Sequence, residues 1–122
     1  MHILVTGGAG YIGSAVTQQL LDSGHTVTVY DNLSNGHREA VPAGAVFVQG
    51  DILDRAALDH VLTSAPCDAV IHFAAFIEAG ESMKLPGRFF YNNVTGSTTL
   101  IDAAVAHGVS RFVFSSTAGV YA

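Results

Sequence analysis

Charged residues are scarce in this sequence. They make up 12% of its 122 residues, only five are lysine or arginine, and the formal net charge is −5. Proteins that bind nucleic acids or anionic membranes carry clustered basic residues, so this chain is not expected to bind either. A phosphate group on this chain would have to be held by backbone N–H groups and a helix dipole.

Cysteine and long apolar runs are scarce as well. Cys67 is the single cysteine, which excludes an internal disulfide and is typical of a protein from a reducing compartment. No apolar stretch approaches the roughly 18 residues that a membrane-spanning helix needs, and no signal-peptide pattern is present. We therefore expect a cytoplasmic protein.

Metal-ligand patterns are also lacking. None of the six histidines lies three or four residues from another, and none accompanies a cysteine pair, so no metal site is expected. One of them falls within an apolar run, where we expect a hydrogen-bonded core residue: His72. The remaining five are His2, His25, His37, His60 and His107.

Five short apolar runs predict β-strands, with helical patterns between them. The first run lacks polar alternation, which is typical of a strand covered on both faces of a parallel sheet. Strands that alternate with helices over short connections form right-handed βαβ units. These units predict a Rossmann-like, doubly wound α/β domain with strand order 3-2-1-4-5 and a ligand crevice between strands one and four. The predicted strands cover residues 2–6, 26–30, 45–49, 68–73 and 111–115.

Apolar stripes predict three helices. The first starts near Tyr11 and stops at Gly24, the second covers about residues 53–64, and the third lies between Pro86 and Gly108. Each stripe is expected to face the sheet. The stripes are Ile12, Ala15, Val16 and Leu20 in the first helix, Ala57, Leu58, Val61 and Leu62 in the second, and Phe90, Val94, Ile101 and Val105 in the third.

The segment between the first strand and the first helix reads Gly-Gly-Ala-Gly-Tyr-Ile-Gly. Gly7 would permit a tight turn, Gly10 would let a pyrophosphate approach the backbone, and Gly13 would let the helix pack closely on the sheet. A glycine triplet alone can be a plain tight turn, but the strand before it and the helix after it favour dinucleotide binding. The N–H groups expected to face a phosphate are those of Tyr11 and Ile12.

An acidic residue at the end of the second strand strengthens this interpretation. Asp31 follows Gly13 by 18 residues, close to the roughly 20 that are typical of dinucleotide sites. Its carboxylate would accept hydrogen bonds from the adenosine ribose and repel a 2′-phosphate, which favours NAD over NADP. Arg38 is the one nearby residue that argues for NADP.

The glycine spacing is Gly-x-x-Gly-x-x-Gly rather than Gly-x-Gly-x-x-Gly, and further short segments follow it in order. The segments are Val5-Thr6-Gly7-Gly8-Ala9-Gly10-Tyr11-Ile12-Gly13, Tyr30-Asp31-Asn32-Leu33-Ser34, Gly50-Asp51-Ile52, His72-Phe73-Ala74-Ala75, Asn92-Asn93-Val94-x-Gly96 and Phe114-Ser115-Ser116-Thr117. Together they resemble the extended branch of the short-chain dehydrogenase/reductase family that acts on nucleotide sugars, and within it the UDP-hexose 4-epimerases. The resemblance spans all 122 residues.

This resemblance implies a set of NAD contacts. Ile77 stands where many members carry a lysine that contacts the cofactor, so that contact is not expected here. Asp51 has a second interpretation, as the N-cap of the helix that follows. The implied contacts are Asp31, Asn32, Leu33, Ser34, Asn35 and Gly36 on the adenosine, Asp51 and Ile52 on the adenine, Phe73, Ala74 and Ala75 on the pyrophosphate and nicotinamide ribose, and Asn92 on the cofactor.

The resemblance also implies an epimerase reaction that this sequence does not complete. Thr117 matches the family residue that hydrogen-bonds the sugar 4-hydroxyl beside a catalytic tyrosine. The family's Tyr-x-x-x-Lys pair is not in the sequence, and no lysine follows Tyr121. Dehydratase relatives carry an acidic pair where Ala118 and Gly119 stand, which favours epimerisation. We expect the NAD-binding part of an epimerase without its C-terminal substrate domain, inactive alone and binding a UDP-sugar only where the rest is supplied.

Other interpretations fit the same cofactor motifs. One is a stand-alone dinucleotide-binding module, another is an enzyme completed by a second chain, and a third is a different extended family member that acts on nucleotide sugars. Asn92 and Thr117 favour an epimerase, because a pure binding module needs neither. Residues 112–114 would form an open apolar edge of the sheet, which predicts a homodimer or a larger assembly.

Overall fold

A computed structural model describes residues 1–33, 37–73 and 96–114 of the chain. Its five strands are β1 (His2–Thr6), β2 (Thr26–Asp31), β3 (Val46–Gln49), β4 (Ala69–His72) and β5 (Arg111–Phe114). They form one parallel sheet with the order β3-β2-β1-β4-β5. The predicted strand order is therefore confirmed, and the ends of every strand lie within one residue of the predicted ends.

The register of the sheet brings the carboxyl ends of its central strands side by side. Thr6 at the end of β1 lies opposite Tyr30 of β2 on one side and His72 of β4 on the other. In an open parallel sheet, ligands bind at this edge where the winding reverses. The predicted ligand crevice between β1 and β4 would lie at this edge of the sheet.

Helices cover both faces of the sheet. They are α1 (Tyr11–Asp22), α2 (Arg55–Ser64) and α3 (Gly96–Ala106), with a 3₁₀ turn at Arg38–Ala40. The first two agree with predicted helices, and α3 agrees with the third predicted helix over the part that the structure describes. Each of α1 and α3 is followed by a glycine in left-handed conformation, Gly24 at φ +89° and Gly108 at φ +74°, and the next residue donates its N–H to a carbonyl of the last helical turn. The predicted stops at these two glycines are confirmed.

Alternate residues of β1 divide the core into two layers. Ile3 and Val5 belong to a cluster that packs against Val16 and Leu20 of α1. Leu4, between them, belongs to the cluster formed with α2 and α3 on the opposite face. Both faces of the strand are buried, which explains why its sequence lacks polar alternation.

The predicted inner stripe of α1 is partly wrong. Ile12 and Ala15 are exposed, whereas Gly13 and Thr17 are buried. A Cβ at Gly13 would overlap the carbonyl oxygen of Gly7, so the helix meets the sheet backbone to backbone at this glycine. Thr17 lies one turn later on the same face, and its hydroxyl donates to the Gly13 carbonyl at 2.7 Å.

The predicted stripe of α3 is wrong for the residues that the structure describes. Ile101 is 42% exposed and Val105 is 71% exposed. Gly96 lies so close to Ile52 that a Cβ there would be 2.5 Å from the Ile52 Cδ1 atom, so the small residues of the helix face inward. Phe90 and Val94 lie outside the described residues. The buried residues of α3 are Gly96, Leu100, Ala103 and Ala104.

The predicted face of α2 is largely confirmed. Leu58, Val61 and Leu62 are buried, and Ala57 is partly exposed. The helix is capped by Asp54, whose carboxylate accepts a hydrogen bond from the Ala57 N–H at 3.1 Å. Within the three described segments, no helix combines the length and the apolar character needed to cross a bilayer.

Candidate functional site

The turn that follows β1 is held by backbone groups. Gly7 has a φ of +81°, a conformation that favours glycine. Its N–H donates to the Tyr30 carbonyl at 3.0 Å, and its carbonyl accepts from the Gly10 N–H at 3.1 Å. The turn is thereby fixed to the carboxyl end of β2 and directed towards the start of α1.

Two more glycines in this turn leave no space for a side chain. A Cβ at Gly8 would lie 2.7 Å from the Val29 Cγ1 atom, and one at Gly13 would overlap the Gly7 carbonyl. At Gly10 the nearest atom would be the Gly7 carbonyl oxygen at 3.4 Å, an ordinary contact distance. The requirement at Gly8 was not predicted from the sequence, where the Gly-Gly pair was its only signal.

The amino end of α1 presents free N–H groups at the crevice edge. Its N-cap, Gly10, has an extended backbone and no side chain to cap the helix, and the first turn contains no acidic residue. The N–H of Ser14 is the first to bond within the helix, to the Gly10 carbonyl at 2.9 Å. The preceding N–H groups, including those of Tyr11 and Ile12, carry the positive end of the helix dipole and suit an anion.

Asp31 lies beside this turn at the end of β2 and is 8% exposed. Its Oδ2 atom accepts a hydrogen bond from the Ala9 N–H at 3.0 Å, and its Oδ1 atom accepts one from the Leu33 N–H at 2.7 Å. Each carboxylate oxygen has a second lone pair for another donor. The structure therefore brings the predicted acid and the glycine turn together, with acceptor capacity left for ribose hydroxyls.

The chain after Asp31 returns to the same turn. Asn32 is exposed, and Leu33 is partly buried with a φ of +64°. The His37 N–H donates to the Ala9 carbonyl at 3.1 Å, so the Ala9 N–H is bonded to the last residue of β2 and its carbonyl to the segment that follows β2. This contact of His37 was not predicted, because its backbone rather than its side chain makes it.

Asp51 and Ile52 follow β3 at the same edge of the sheet. The Asp51 carboxylate accepts the Leu53 N–H at 2.9 Å, and the Asp51 carbonyl accepts the Tyr30 hydroxyl at 2.7 Å. Burial, with the nearby charges of Asp54 and Asp51, raises the pKa of Tyr30 to about 12. Because Asp54 caps α2, the alternative interpretation of Asp51 as the N-cap is wrong. Ile52 is 8% exposed, and its side chain packs in the core.

Phe73 immediately follows β4, beside the end of β1. It is 7% exposed, and its N–H donates to the Thr6 carbonyl at 2.7 Å. His72 precedes it, has no exposed surface, and bonds through its ring nitrogens to Thr6 and Ser97. Burial lowers the pKa of His72 to about 4. The predicted role of His72 as a hydrogen-bonded core residue is confirmed.

Arg38 contacts an aromatic ring of the third strand. Its guanidinium carbon lies 4.7 Å from the centre of the Phe47 ring, and the residue is exposed. A guanidinium over a ring face gains a cation–π attraction of about 0.5–1 kcal/mol at an exposed site. The one basic residue near Asp31 in sequence therefore has a partner on β3.

The described residues fit a bound dinucleotide. Three features lie along one edge of the sheet: the first N–H groups of α1, the backbone of Gly10 without a side chain, and the Asp31 carboxylate. A pyrophosphate and an adenosine ribose require this arrangement. Within residues 1–33, 37–73 and 96–114, no group of three His, Cys, Asp or Glu side chains is arranged to hold a metal ion. The predicted site residues that lie outside the described part are Ser34, Asn35, Gly36, Ala74, Ala75, Asn92 and Thr117.

Known proteins are similar to this chain over almost its whole length. The model of the NAD dependent epimerase/dehydratase family matches residues 3–122. A UDP-glucose 4-epimerase of Rhizobium meliloti (strain 1021) is 55% identical over 120 residues, which are 98% of this chain and 36% of that relative. The chain thus spans about a third of the length of this curated relative.

Solved structures also resemble the chain over almost its whole length. The crystal structure of a UDP-glucose 4-epimerase from Brucella ovis in complex with NAD has a TM-score of 0.90 and 44% identity, over 94% of this chain and 35% of that one. The crystal structure of a UDP-glucose 4-epimerase from Bifidobacterium longum in complex with NAD+ and UDP has a TM-score of 0.90 and 32% identity, over 99% of this chain and 38% of that one.

Proposed function

The chain belongs to the NAD dependent epimerase/dehydratase family, and from this premise we propose that it forms the NAD-binding part of a UDP-glucose 4-epimerase. The observation that carries the proposal is the meeting of the glycine turn, the amino end of α1 and the Asp31 carboxylate at one edge of the sheet. The proposed whole-protein reaction interconverts UDP-glucose and UDP-galactose. The Rhizobium meliloti relative that bears this activity in its name is about three times as long as this chain.

The described residues are proposed to bind and orient the cofactor. The N–H groups of Tyr11 and Ile12 would hold the pyrophosphate, and Asp31 would accept the ribose hydroxyls. Asp51 would lie at the adenine end of the crevice, and Phe73 would lie at its nicotinamide end. When bound, NAD supplies a reversible acceptor for the hydride at C4 of the sugar.

The sugar side of the reaction is assigned to residues outside the described part. We propose that Asn92 contacts the cofactor and that Thr117 donates or accepts a hydrogen bond at the sugar 4-hydroxyl. Proton transfer is assigned to a Tyr-x-x-x-Lys pair, which this sequence lacks. This chain alone is therefore proposed to bind NAD without turning over a UDP-sugar.

Calorimetric titration with NAD, followed by UDP-glucose in the same cell, tests the proposal. We expect saturable NAD binding and no heat from UDP-glucose. Failure to bind NAD would contradict the proposed site. Binding of both ligands, with slow growth of reduced-cofactor absorbance, would show that the chain carries chemistry assigned here to residues it lacks. NADP serves as the matched ligand, and Asp31 is expected to make it bind more weakly than NAD.

The proposed function also indicates a cellular compartment, a metabolic pathway and an oligomeric state. We propose a cytoplasmic protein of galactose metabolism, supported by the single cysteine and by the nucleotide-sugar substrate class. We also propose a homodimer or larger assembly, supported by the exposed apolar side chains of β5, where Val113 is 52% exposed and Phe114 is 49% exposed.

A further inference from the structure

His72 connects three elements of the crevice from inside the core. Its Nδ1 atom lies 2.6 Å from the Thr6 Oγ1 atom at the end of β1, and its Nε2 atom lies 3.2 Å from the Ser97 Oγ atom in α3. Its ring also packs against the ring of Phe114, with 5.4 Å between the ring centres. The Thr6 hydroxyl also lies 3.5 Å from the Ile71 carbonyl, to which it donates.

The two hydroxyls that contact His72 adjoin segments that line the crevice. Thr6 immediately precedes Gly7, whose conformation sets the glycine turn. Ser97 immediately follows Gly96, the residue at which α3 packs on Ile52. A movement of either hydroxyl would therefore shift the glycine turn or the segment that follows β3.

We propose that His72 is a positioning residue for the cofactor crevice, which fixes the glycine turn and the start of α3 relative to each other through Thr6 and Ser97. The inference rests on the proposed function, since it concerns the same NAD site. His72 acts through these two hydroxyls, because its own ring has no exposed surface.

The chemistry of the imidazole ring explains why a histidine suits this place. A neutral ring has one N–H donor and one acceptor nitrogen, and a hydroxyl can serve as either partner. Both ring nitrogens are thus satisfied while the ring stays uncharged, and burial keeps its pKa low. A hydrocarbon ring of similar size would fill the same volume but leave the Thr6 and Ser97 hydroxyls without this partner.

The test measures NAD affinity by calorimetry in variants that remove the contacts one at a time. His72→Phe removes both hydrogen bonds of the imidazole ring. Thr6→Val removes the bond to β1 at nearly constant side-chain volume, and Ser97→Ala removes the bond to α3. Val70→Ala is the matched control, because Val70 is fully buried in the same strand as His72 and its hydrocarbon side chain forms no hydrogen bond with either hydroxyl. Each protein is titrated at a temperature where circular dichroism shows it folded.

We expect His72→Phe to weaken NAD binding about tenfold, and Val70→Ala to change it less than about twofold even where the two lower the melting temperature equally. Adding Thr6→Val to His72→Phe should weaken binding no further, because the contact is already lost. His72→Asn should recover part of the affinity, since its amide reaches the position of Nδ1.

The outcomes separate the two claims. NAD binding by the wild-type chain with unchanged affinity in His72→Phe would overturn the positioning role alone. Equal losses in His72→Phe and Val70→Ala would also overturn it, because general destabilisation would then explain both. If His72→Phe does not fold, Thr6→Val and Ser97→Ala decide the matter, and full affinity in both would reject the inference. Absence of NAD binding in the wild type would reject the proposed function and this inference with it.

Discussion

Asp31 holds two backbone segments in place before any ligand binds. One carboxylate oxygen accepts the Ala9 N–H of the glycine turn, and the other accepts the Leu33 N–H of the segment after β2. Hydrogen bonds to a charged acceptor contribute about 1.5–3 kcal/mol to stability, more than bonds between neutral groups. A residue proposed to recognise ribose therefore also shapes the turn that would face the pyrophosphate.

Replacing Asp31 should separate these two effects. Asp31→Asn keeps one acceptor oxygen, so one of the two N–H groups loses its partner, and we expect weaker NAD binding with about 1–2 kcal/mol lower stability. Asp31→Ala removes both acceptors and should in addition reduce the discrimination against NADP. The measurements are NAD and NADP titrations and urea unfolding. Asp22→Ala, at an exposed acid of α1 whose carboxylate contacts Gln18, is the control. Titration curves identical to the wild type would remove the role assigned to Asp31.

The buried imidazole of His72 makes stability depend on pH. Its pKa is about 4 in the folded chain against the ordinary value of 6.5, so between these values the unfolded state takes up a proton that the folded state does not. The free energy of unfolding should therefore fall as the pH drops from about 6.5 to 4, by about 3 kcal/mol over the full range. Above pH 6.5 this contribution is constant.

Urea unfolding of wild type and His72→Gln at pH 7 and pH 4.5 measures this contribution. Glutamine does not titrate, so the variant should lose less stability between the two pH values than the wild type. Carboxylates and the other histidines titrate in both proteins and cancel in the difference. An identical pH dependence in the two proteins would mean that His72 is not the group responsible.

At the scale of single residues, the sequence predicts a site residue where spacing along the chain determines its place. Asp31 was predicted because it ends a strand at a typical distance from the glycines. The contact of His72 with Thr6 joins residues 66 positions apart, and nothing local in the sequence indicates it. The second contact, with Ser97, likewise depends on how α3 lies on the sheet.

At the scale of elements, the glycines of the turn fall into two kinds. Gly13 brings α1 into contact with the backbone of the turn, where a Cβ would overlap the Gly7 carbonyl and lie 2.8 Å from the Gly8 Cα atom. Among the residues that the structure describes, Gly10 has no such neighbour, since the atom nearest to a Cβ there would be 3.4 Å away. The first glycine serves packing, and the second leaves the approach to the helix open.

Alanine at these two positions should give opposite results. Gly13→Ala must displace backbone, so we expect a loss of about 3 kcal/mol, the upper part of the range for overpacking, together with loss of NAD binding. Gly10→Ala should cost less than about 1 kcal/mol, because its extended backbone suits alanine, yet weaken NAD binding by obstructing the pyrophosphate. Thermal unfolding and NAD titration of both variants provide the comparison. Equal stability of the two variants would contradict the distinction.

The helix faces show where a pattern of apolar residues fails as a guide. The stripe of α2 was predicted well, because large aliphatic residues such as Leu58 and Leu62 face the core. In α1 and α3 the buried face starts from a glycine, Gly13 or Gly96, at which the helix comes close to its neighbour. Small residues then face the core, and larger apolar residues such as Val105 are exposed. In these two helices the stripe of large apolar residues therefore does not mark the buried face, as it usually does.

At the scale of the whole molecule, β5 is the outermost strand on its side of the described sheet. It pairs with β4, and both Val113 and Phe114 are about half exposed. An unpaired strand edge with apolar side chains favours pairing with another chain. The proposed self-association would use this edge.

A charge on β5 should therefore reduce association. We expect sedimentation of the wild-type chain at micromolar concentration to show a dimer or larger species, and Val113→Lys to shift it towards monomer. Val46→Lys on β3, at the opposite edge and 60% exposed in the wild type, is the matched control. A purely monomeric wild-type profile would contradict the prediction, and an effect confined to Val46→Lys would place the interface at the other edge.

The strand order also has a consequence for how the chain is built. The central strand β1 finds its first neighbour 24 residues later, where His2 pairs with Thr26, but its second only 66 residues later, where Ile3 pairs with Ala69. Parallel pairings of this separation close large loops and form slowly. During synthesis β1 leaves the ribosome before β4, and it cannot complete its pairing until β4 has emerged. A pause in translation before β4 emerges would leave a sheet of β1, β2 and β3 in which the unpaired edge of β1 is the one that lies at the centre of the described sheet.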